Sequence, residues 1–401
     1  MTDATPSKPR ICMWSYHWPP AFSGAGLQAR RISLRLARRG WRVWALTTSP
    51  EVRRVTEIDD EGLRVVCVPQ SRLRRFTPMA LQTIWRLRRA MRRRQGDFDI
   101  LHIHSAFLDA ALGSSLAHRW GKRCIVKNTL PEVDMSVYGR GLWGKWQRRC
   151  FQTVGAFIGA SPAAADELLR HGLPPKRIHR IPNGVDTDHF RPPEEGERRA
   201  LRESLGLPPD ARLLINHSSI CARKGTDVLV EVMGLLRDRH PDLHLALVGP
   251  WERGGVPIEN GHPDWFPDLR SRVAELGLTA RIHFPGSQTN TDEWLRASDV
   301  FVFPTLNDLL PNSLLEAMAT ALPIAAFDVL CTQALLQHGE SGLLTPPGDA
   351  DALARSIEEI LANPDLAEPM GEAARQHVSE AYSLDAVVTA YERLYLSLFE
   401  S

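Results

Sequence analysis

Pro304-Thr305-Leu306-Asn307-Asp308-Leu309-Leu310-Pro311-Asn312-Ser313-Leu314-Leu315-Glu316-Ala317-Met318-Ala319 is the stretch on which the fold turns. The apolar run 300–303 before it reads as a buried strand, and 314–321 reads as a helix. Asp308 and Glu316 stand eight residues apart across that turn. One carboxylate therefore falls on the loop and the other on the first turns of the helix. Loops of this kind, at the open end of a parallel α/β sheet, form ligand sites. A helix start also offers unpaired N–H groups and the positive end of its dipole to an anion.

The same rhythm extends in both directions. In the first half, 10–16, 41–47, 63–69, 99–104, 124–127 and 156–159 read as short strands. Helical segments alternate with them, notably 27–39, 79–94 and 162–170. In the second half 213–216, 243–248, 281–284, 300–303 and 323–326 are strands with helices between. Such alternation predicts parallel sheets with crossover helices. The stretch 191–210 holds Pro192-Pro193, Pro208-Pro209 and five acidic residues, and reads as a linker. The spacing of Leu384, Val387, Val388, Tyr391, Leu394, Tyr395 and Leu398 predicts a closing helix. Two α/β domains with a cleft between them follow: 1–190, then the linker 191–210, then 211–380, with 381–401 packing back toward the first.

Composition agrees with a chain of this size. At 401 residues, 43% hydrophobic and 24% charged, two full cores are possible. No run of about 18 apolar residues suggests a membrane-spanning helix, and the polar start 1–10 has no signal-peptide core. Six scattered cysteines without a CxxC pattern point to free thiols in a reducing cytoplasm. The net charge of +2 hides a split. Residues 1–190 carry 32 basic and 15 acidic residues, a balance of +17, leaving 17 and 32, or −15, for 191–401. The basic half is expected to face something anionic.

Several smaller patterns carry chemistry with a bland alternative beside it. Ser23-Gly24-Ala25-Gly26 follows the first strand and opens a helix, so its glycines allow close backbone approach to a ligand; a plain tight turn is the alternative. Arg223-Lys224-Gly225 follows the strand 213–216 and precedes a helix, where a lysine suits a diphosphate. His102 and His104 share one strand face, as metal ligands or as buried, hydrogen-bonded side chains; no third ligand with sensible spacing accompanies them. The Asp-x-Asp pairs at 97–99, 186–188 and 349–351 are short enough to arise by chance. The arginine-dense run 72–94, with Leu81, Ile84, Trp85, Leu87 and Met91 interleaved, fits an interfacial helix on anionic lipid. A solvated helix and a nucleic-acid arm are the alternatives, the last without any recognition motif.

Together these pieces resemble the family-4 retaining glycosyltransferases (group 1) of the GT-B fold, from Arg10 to Phe399. Ile181-Pro182-Asn183-Gly184-Val185-Asp186 with Phe190 is similar to that family's stretch ending the first domain. Residues 295–304 with Leu315-Glu316-Ala317-Met318-Ala319 resemble its donor-domain signature, and Gly339 to Pro347 its strand after the donor site. The resemblance implies a GT-B fold, two Rossmann-like doubly wound domains facing a cleft, with an N-terminal acceptor domain and a C-terminal nucleotide-sugar donor domain. By position, Glu316 would bind the ribose hydroxyls, Asp308 would meet sugar hydroxyls and Lys224 would hold the diphosphate. The helix start at Asn312, Ser313 and Leu314 would support it. Gly24 and Gly26 belong to the loop whose second glycine would approach the diphosphate or the acceptor. Neither cofactor nor metal is implied. Partners would be the nucleotide-sugar donor, a glycan or lipid-linked acceptor, and an anionic membrane surface met by 72–94. The location would be cytoplasmic, peripheral at the inner face of the membrane.

The chain departs from the family pattern at identifiable places. Asp308 stands for the usual glutamate and Leu309 for a glycine. Ser219 replaces an arginine that normally joins Lys224, a change that neighbouring Arg223 can partly offset. Leu330-Cys331 replaces a glycine pair, and Ala334 a glutamate. Asn128 lies where many members carry a histidine; asparagine cannot act as a base, whereas nearby Asp134 can. The leading expectation is a retaining sugar transferase in polysaccharide or glycoconjugate biosynthesis. A non-catalytic GT-B-like binding protein or partner subunit is the alternative raised by these departures. A phosphorylase would need a pyridoxal-phosphate lysine motif, which the sequence lacks, and the Glu316 signature favours a transferase over an epimerase.

Overall fold

A computed structural model describes residues 8–21, 23–70, 78–129, 134–136, 138–253, 256–257 and 264–400. The chain divides into two compact units. One runs to Gly184 and takes in the chain from Leu384 onward; the other is Val185–Ser383.

In the first unit the elements are β1 (Ile11–Trp14), α1 (Gly24–Arg38), β2 (Val43–Ser49), β3 (Thr56–Asp60), β4 (Leu63–Pro69), α2 (Pro78–Arg93), β5 (Ile100–Ile103), α3 (Leu108–Arg119), β6 (Arg123–Asn128), α4 (Gly141–Phe151), β7 (Ala156–Gly159), α5 (Pro162–Arg170) and β8 (Ile178–Arg180). The strands order as β3-β4-β2-β1-β5-β6-β7-β8. All neighbours are parallel except β3 on β4. Both faces are covered, which is why β1 is apolar throughout. Cys12 and Trp14 face a core with Leu87, Met91, Leu116 and Phe151. Ile11 and Met13 face another with Ile32, Leu36, Val388 and Tyr395. β3 escapes the strand pattern because Thr-Glu-Ile-Asp-Asp has no apolar run. It is a charged edge strand, the kind that resists pairing with other chains.

The second unit contains α6 (Glu197–Ser204), β9 (Arg212–His217), α7 (Thr226–Leu236), β10 (Leu243–Val248), β11 (Glu252–Arg253), β12 (Val256–Pro257), α8 (Trp265–Glu275), β13 (Ile282–Gly286), α9 (Thr291–Arg296), β14 (Val300–Phe303), α10 (Asn312–Ala319), β15 (Ile324–Phe327), α11 (Leu330–Gln333), β16 (Leu343–Thr345), α12 (Ala350–Ala362) and α13 (Pro364–Ala381). Its main sheet is wholly parallel, in the order β13-β10-β9-β14-β15-β16. Strand order therefore reverses between β9 and β14. Phe301 and Phe303 fill one face with Leu314 and Leu315; Val300 and Val302 fill the other with Leu229 and Ile357.

The last helix, α14 (Leu384–Glu400), belongs to the first unit. Arg39 bonds Glu392 at 2.7 Å and Asp385 at 2.6 Å, and Trp41 Nε1 donates to Glu392 at 2.6 Å. The segment 191–210 corrects the linker expectation. Its prolines and acids flank α6, where Arg202 is buried and donates to Ala297 O at 2.8 Å and Asp299 Oδ2 at 2.7 Å. Leu201, Leu205 and Leu207 pack on the same core. The segment is thus built into the second unit. Part of the arginine-rich run, residues 72–77, lies outside the described residues.

Truncating Arg202 to alanine leaves a buried carbonyl and Asp299 short of a charged donor. The urea midpoint of the second unit is expected to fall by an amount equivalent to about 2–3 kcal/mol. A change under about 0.5 kcal/mol would mean that α6 is not anchored this way.

Candidate functional site

In an open parallel sheet, ligands sit outside the carboxyl ends of the strands where strand order reverses. In the second unit that place is flanked by the loops after β9 and β14. Gly225 brings them together. Its φ is +68°, and a Cβ there would stand 2.1 Å from Pro304 O. Glycine alone accepts both the left-handed backbone and the contact. Leu306 N donates to Arg223 O at 3.0 Å, and Arg223 Nη1 to Asn307 O at 2.8 Å. The exposed Arg223 guanidinium is thereby committed to the facing loop.

Two acid–base contacts then cross between the loops. Lys224, largely buried, forms an ion pair with Asp308, and its Nζ stands 5.7 Å from the Phe303 ring centre. Glu316, 1% exposed, places Oε2 3.3 Å from Nδ1 of His217 at the end of β9. Every carboxylate of the opening stretch thus meets a basic group from the β9 side. Asp308 Oδ1 also accepts Leu309 N at 2.7 Å. Among the described residues only Glu61 and Ala321 are non-glycine residues with left-handed backbone, so Leu309 occupies its position without that strain.

The remaining candidate residues of the second unit surround this pair. Asn312, Ser313 and Leu314 start α10, whose N-cap Pro311 supplies no side-chain cap. The Leu314 side chain is fully buried in the core, so only its backbone is available to a ligand. Ser219 is buried on the β9 loop, its carbonyl accepting Ser218 Oγ at 3.2 Å. Cys331 lies beside the pair: burial pushes its thiol up to about 11, and the Asp308 carboxylate adds to the rise. Its neighbour Leu330 is 78% exposed.

In the first unit the reversal lies at β1 and β5. Ser23 caps α1, its Oγ accepting Gly26 N at 3.2 Å. Gly24 opens the helix. At Gly26 a Cβ would stand 2.3 Å from His17 O, so the close approach this glycine permits is to its own chain. Asn128 and Asp134 correct the expectation of ligand-facing side chains. Asn128 is fully buried and its amide donates to Glu167 at 2.7 Å. Asp134, 5% exposed, accepts at Oδ2 from Ala106 N, Thr129 N and Thr129 Oγ1 at 3.0–3.1 Å. It clamps the loops after β5 and β6 together.

Two features here, Asp109 and Lys127, escaped the sequence pattern. Asp109, in the first turn of α3, accepts Ser105 Oγ at 2.8 Å; burial pushes it up to about 6, with the Asp134 charge contributing. Lys127 is buried, with Nζ 3.0 Å from Asn183 Oδ1 and 5.9 Å from the Tyr391 ring centre. Loss of water pushes it down to about 7. His102 and His104 are buried beside each other, ring centres 4.6 Å apart, and His102 Nδ1 is 2.8 Å from Tyr395 Oη. Burial pushes His102 down to about 3. The stretch ending the unit shares this role: Gln28 exchanges two hydrogen bonds with Gly184, at 2.8 and 2.9 Å.

Comparison with known proteins returns one answer for both units. Residues 22–189 match the family model described as Glycosyltransferase Family 4, and residues 197–377 the model described as Glycosyl transferases group 1. A D-inositol 3-phosphate glycosyltransferase 2 of Catenulispora acidiphila is 31% identical over 356 residues, covering 84% of this chain and 79% of the relative. Among solved structures, sucrose-phosphate synthase of Thermosynechococcus elongatus matches with a TM-score of 0.79 at 22% identity, over 98% of this chain and all of that one. HepE of Anabaena, in complex with UDP, matches at 0.75 and 16% identity, over 97% and 100%. At these identities the structures speak for the fold.

Lys127 makes a pH signature. Unfolded, it keeps its proton up to about 10.5; folded, it gives it up near 7. Between these values the unfolded chain binds the extra proton, so this group makes stability rise with pH from about 7 to 10.5 and contributes no slope below. Urea midpoints of the first unit measured across that range should lose this rise in Lys127→Met.

Proposed function

The chain belongs to the group 1 and family 4 glycosyltransferases, with two Rossmann-like α/β units and the GT-B fold, and on that footing we propose how it works. It moves a sugar from a nucleotide-sugar donor to a glycan or lipid-linked acceptor with retention of anomeric configuration. The observation that carries this is the convergence of Lys224, Asp308, Glu316 and the α10 start where strand order reverses in the second unit.

The glycosidic C1–O bond to the diphosphate breaks and negative charge grows on the leaving group. The Lys224 ammonium and the first N–H groups of α10 stabilise that charge. The ammonium is paired with Asp308. As the diphosphate takes over the lysine, the Asp308 carboxylate is released to accept from sugar hydroxyls. Glu316 accepts from the ribose hydroxyls, and His217 orients it. The acceptor hydroxyl attacks the face the diphosphate leaves, and its proton passes to the departing phosphate oxygen. That route requires no protein nucleophile, in keeping with the enclosed Asn128 and the clamped Asp134. It assigns no step to a metal or cofactor.

The acceptor contacts the first unit, whose half of the chain carries a charge balance of +17. Among the described residues no helix is long and apolar enough to cross a membrane. A cytoplasmic enzyme held at the inner membrane face by charge fits a lipid-linked acceptor. The donor panel starts with UDP-glucose, which occupies a HepE structure. The acceptor panel includes inositol 3-phosphate, after the names of the relatives.

With the active donor, Lys224→Ala should lower kcat about 10²–10³-fold. Glu316→Ala should raise the donor Kd roughly 10–150-fold in calorimetry. Asp308→Asn should keep nucleotide-diphosphate binding, its lysine being freed, while turnover falls. Absence of nucleotide-diphosphate binding to the wild type would overturn the whole reading. The membrane part is checked separately: co-sedimentation with anionic vesicles should drop between about 50 and 300 mM salt, and equal binding at both would reject an electrostatic dock.

A further inference from the structure

Away from the donor site, the first unit holds a cavity of about 470 Å³ whose charged lining is entirely arginine: Arg53, Arg54, Arg86, Arg89, Arg93 and Arg94. Two elements build it. Arg53 and Arg54 come from the β2–β3 connection. Arg86, Arg89 and Arg93 lie three and seven residues along α2 and so share a face. The opposite face of α2 is buried through Leu87 and Met91, which holds the arginine face in place.

Most of this charge has no answering carboxylate. Arg94 pairs with Glu57, and Arg89 stacks over Trp85 at 5.4 Å from the ring centre. Among the described residues, no ion pair or hydrogen bond reaches the side chains of Arg53, Arg54, Arg86 or Arg93. Like charges three and four residues apart weaken a helix. The negative end of the α2 dipole compensates the last turn, where Arg93 sits. It does nothing for Arg53 and Arg54, which tertiary folding brings to the same cavity. Planar guanidinium groups meet phosphate oxygens in paired hydrogen bonds, and the cavity exceeds the size of one phosphate.

We propose that this cavity is a binding site for a diphosphate-bearing group, distinct from the donor site of the second unit. Trp85, 58% exposed, and Val55, 40% exposed, lie in its wall, and they give an amphiphilic ligand apolar surface next to its charged head. The site extends the basic-surface reading from diffuse attraction to one defined pocket, and it stands whether or not transfer is observed.

The test is titration calorimetry of inorganic pyrophosphate into the full chain at low salt, alongside co-sedimentation with phosphatidylcholine vesicles containing a polyprenyl diphosphate. Three double variants are compared: R86Q/R93Q, R53Q/R54Q, and R148Q/R149Q on the exposed surface of α4 as a charge-matched control. Circular dichroism and thermal midpoints establish that all are folded. The expected result is saturable binding that weakens roughly tenfold or more in the two cavity pairs and not in the control. Pyrophosphate binding that persists in the cavity variants but falls in Lys224→Ala belongs to the donor site. Loss confined to the vesicle arm would identify a lipid-borne diphosphate; loss in both arms, the diphosphate group itself. Equal weakening in all three pairs, or none in the cavity pairs, would overturn the site. Salt-sensitive vesicle binding that survives in the cavity variants would do so while leaving the general membrane reading intact.

Discussion

The Cα of Gly225 and the carbonyl of Pro304 lie so close that no side chain fits between them. Much of the second unit's chemistry depends on that contact. It draws the β9 and β14 loops together at the reversal of strand order and brings Lys224 to Asp308. Once the loops are closed, α10 starts at a fixed distance from β9, and Glu316 reaches His217 from the helix's second turn. A sheet covered on both faces makes this closure rigid, because Phe301 and Phe303 anchor β14 in one core while Val300 and Val302 anchor it in the other.

The first unit is organised around a different constraint: polar groups buried where a sheet meets its last helix. Lys127, His102 and His104 lie inside, and α14 supplies Tyr391 and Tyr395 to pack against them. Burial disfavours the charged forms of lysine and histidine, so these groups act at neutral pH mainly as neutral or near-neutral hydrogen-bonding elements. Asn183 and Gly184 complete the enclosure through Lys127 and Gln28. A stretch that resembles a family signature is here occupied with closing a domain, which is a sufficient physical reason for its residue types.

Legibility followed the strength of local signals. Strands such as β10, β14 and β7 were readable to the residue, because three or four apolar residues in a row have few other uses. β3 was not, since an edge strand shows charge to solvent. α6 was hidden by its flanking prolines and acids. At the candidate site of the second unit, Lys224, Asp308 and Glu316 stood out by motif, whereas His217 is one polar residue ending an apolar run and carries no pattern. Asn128 and Asp134 were placed near the right loops, but their partners, Glu167 and the Ala106 and Thr129 amides, lie far along the chain or on the backbone.

By itself, the sequence determined the α/β class, the two-domain plan, most of the strands and the carboxylates flanking the turn at 304–319. Hydrophobic periodicity and glycine placement are local and survive without coordinates. Only the tertiary structure decided which basic group each carboxylate meets, that 191–210 is built into the second unit, and that arginines from two distant segments line one cavity. Those outcomes depend on strand order and helix packing, which bring together residues separated by tens to hundreds of positions, and no local spacing encodes them.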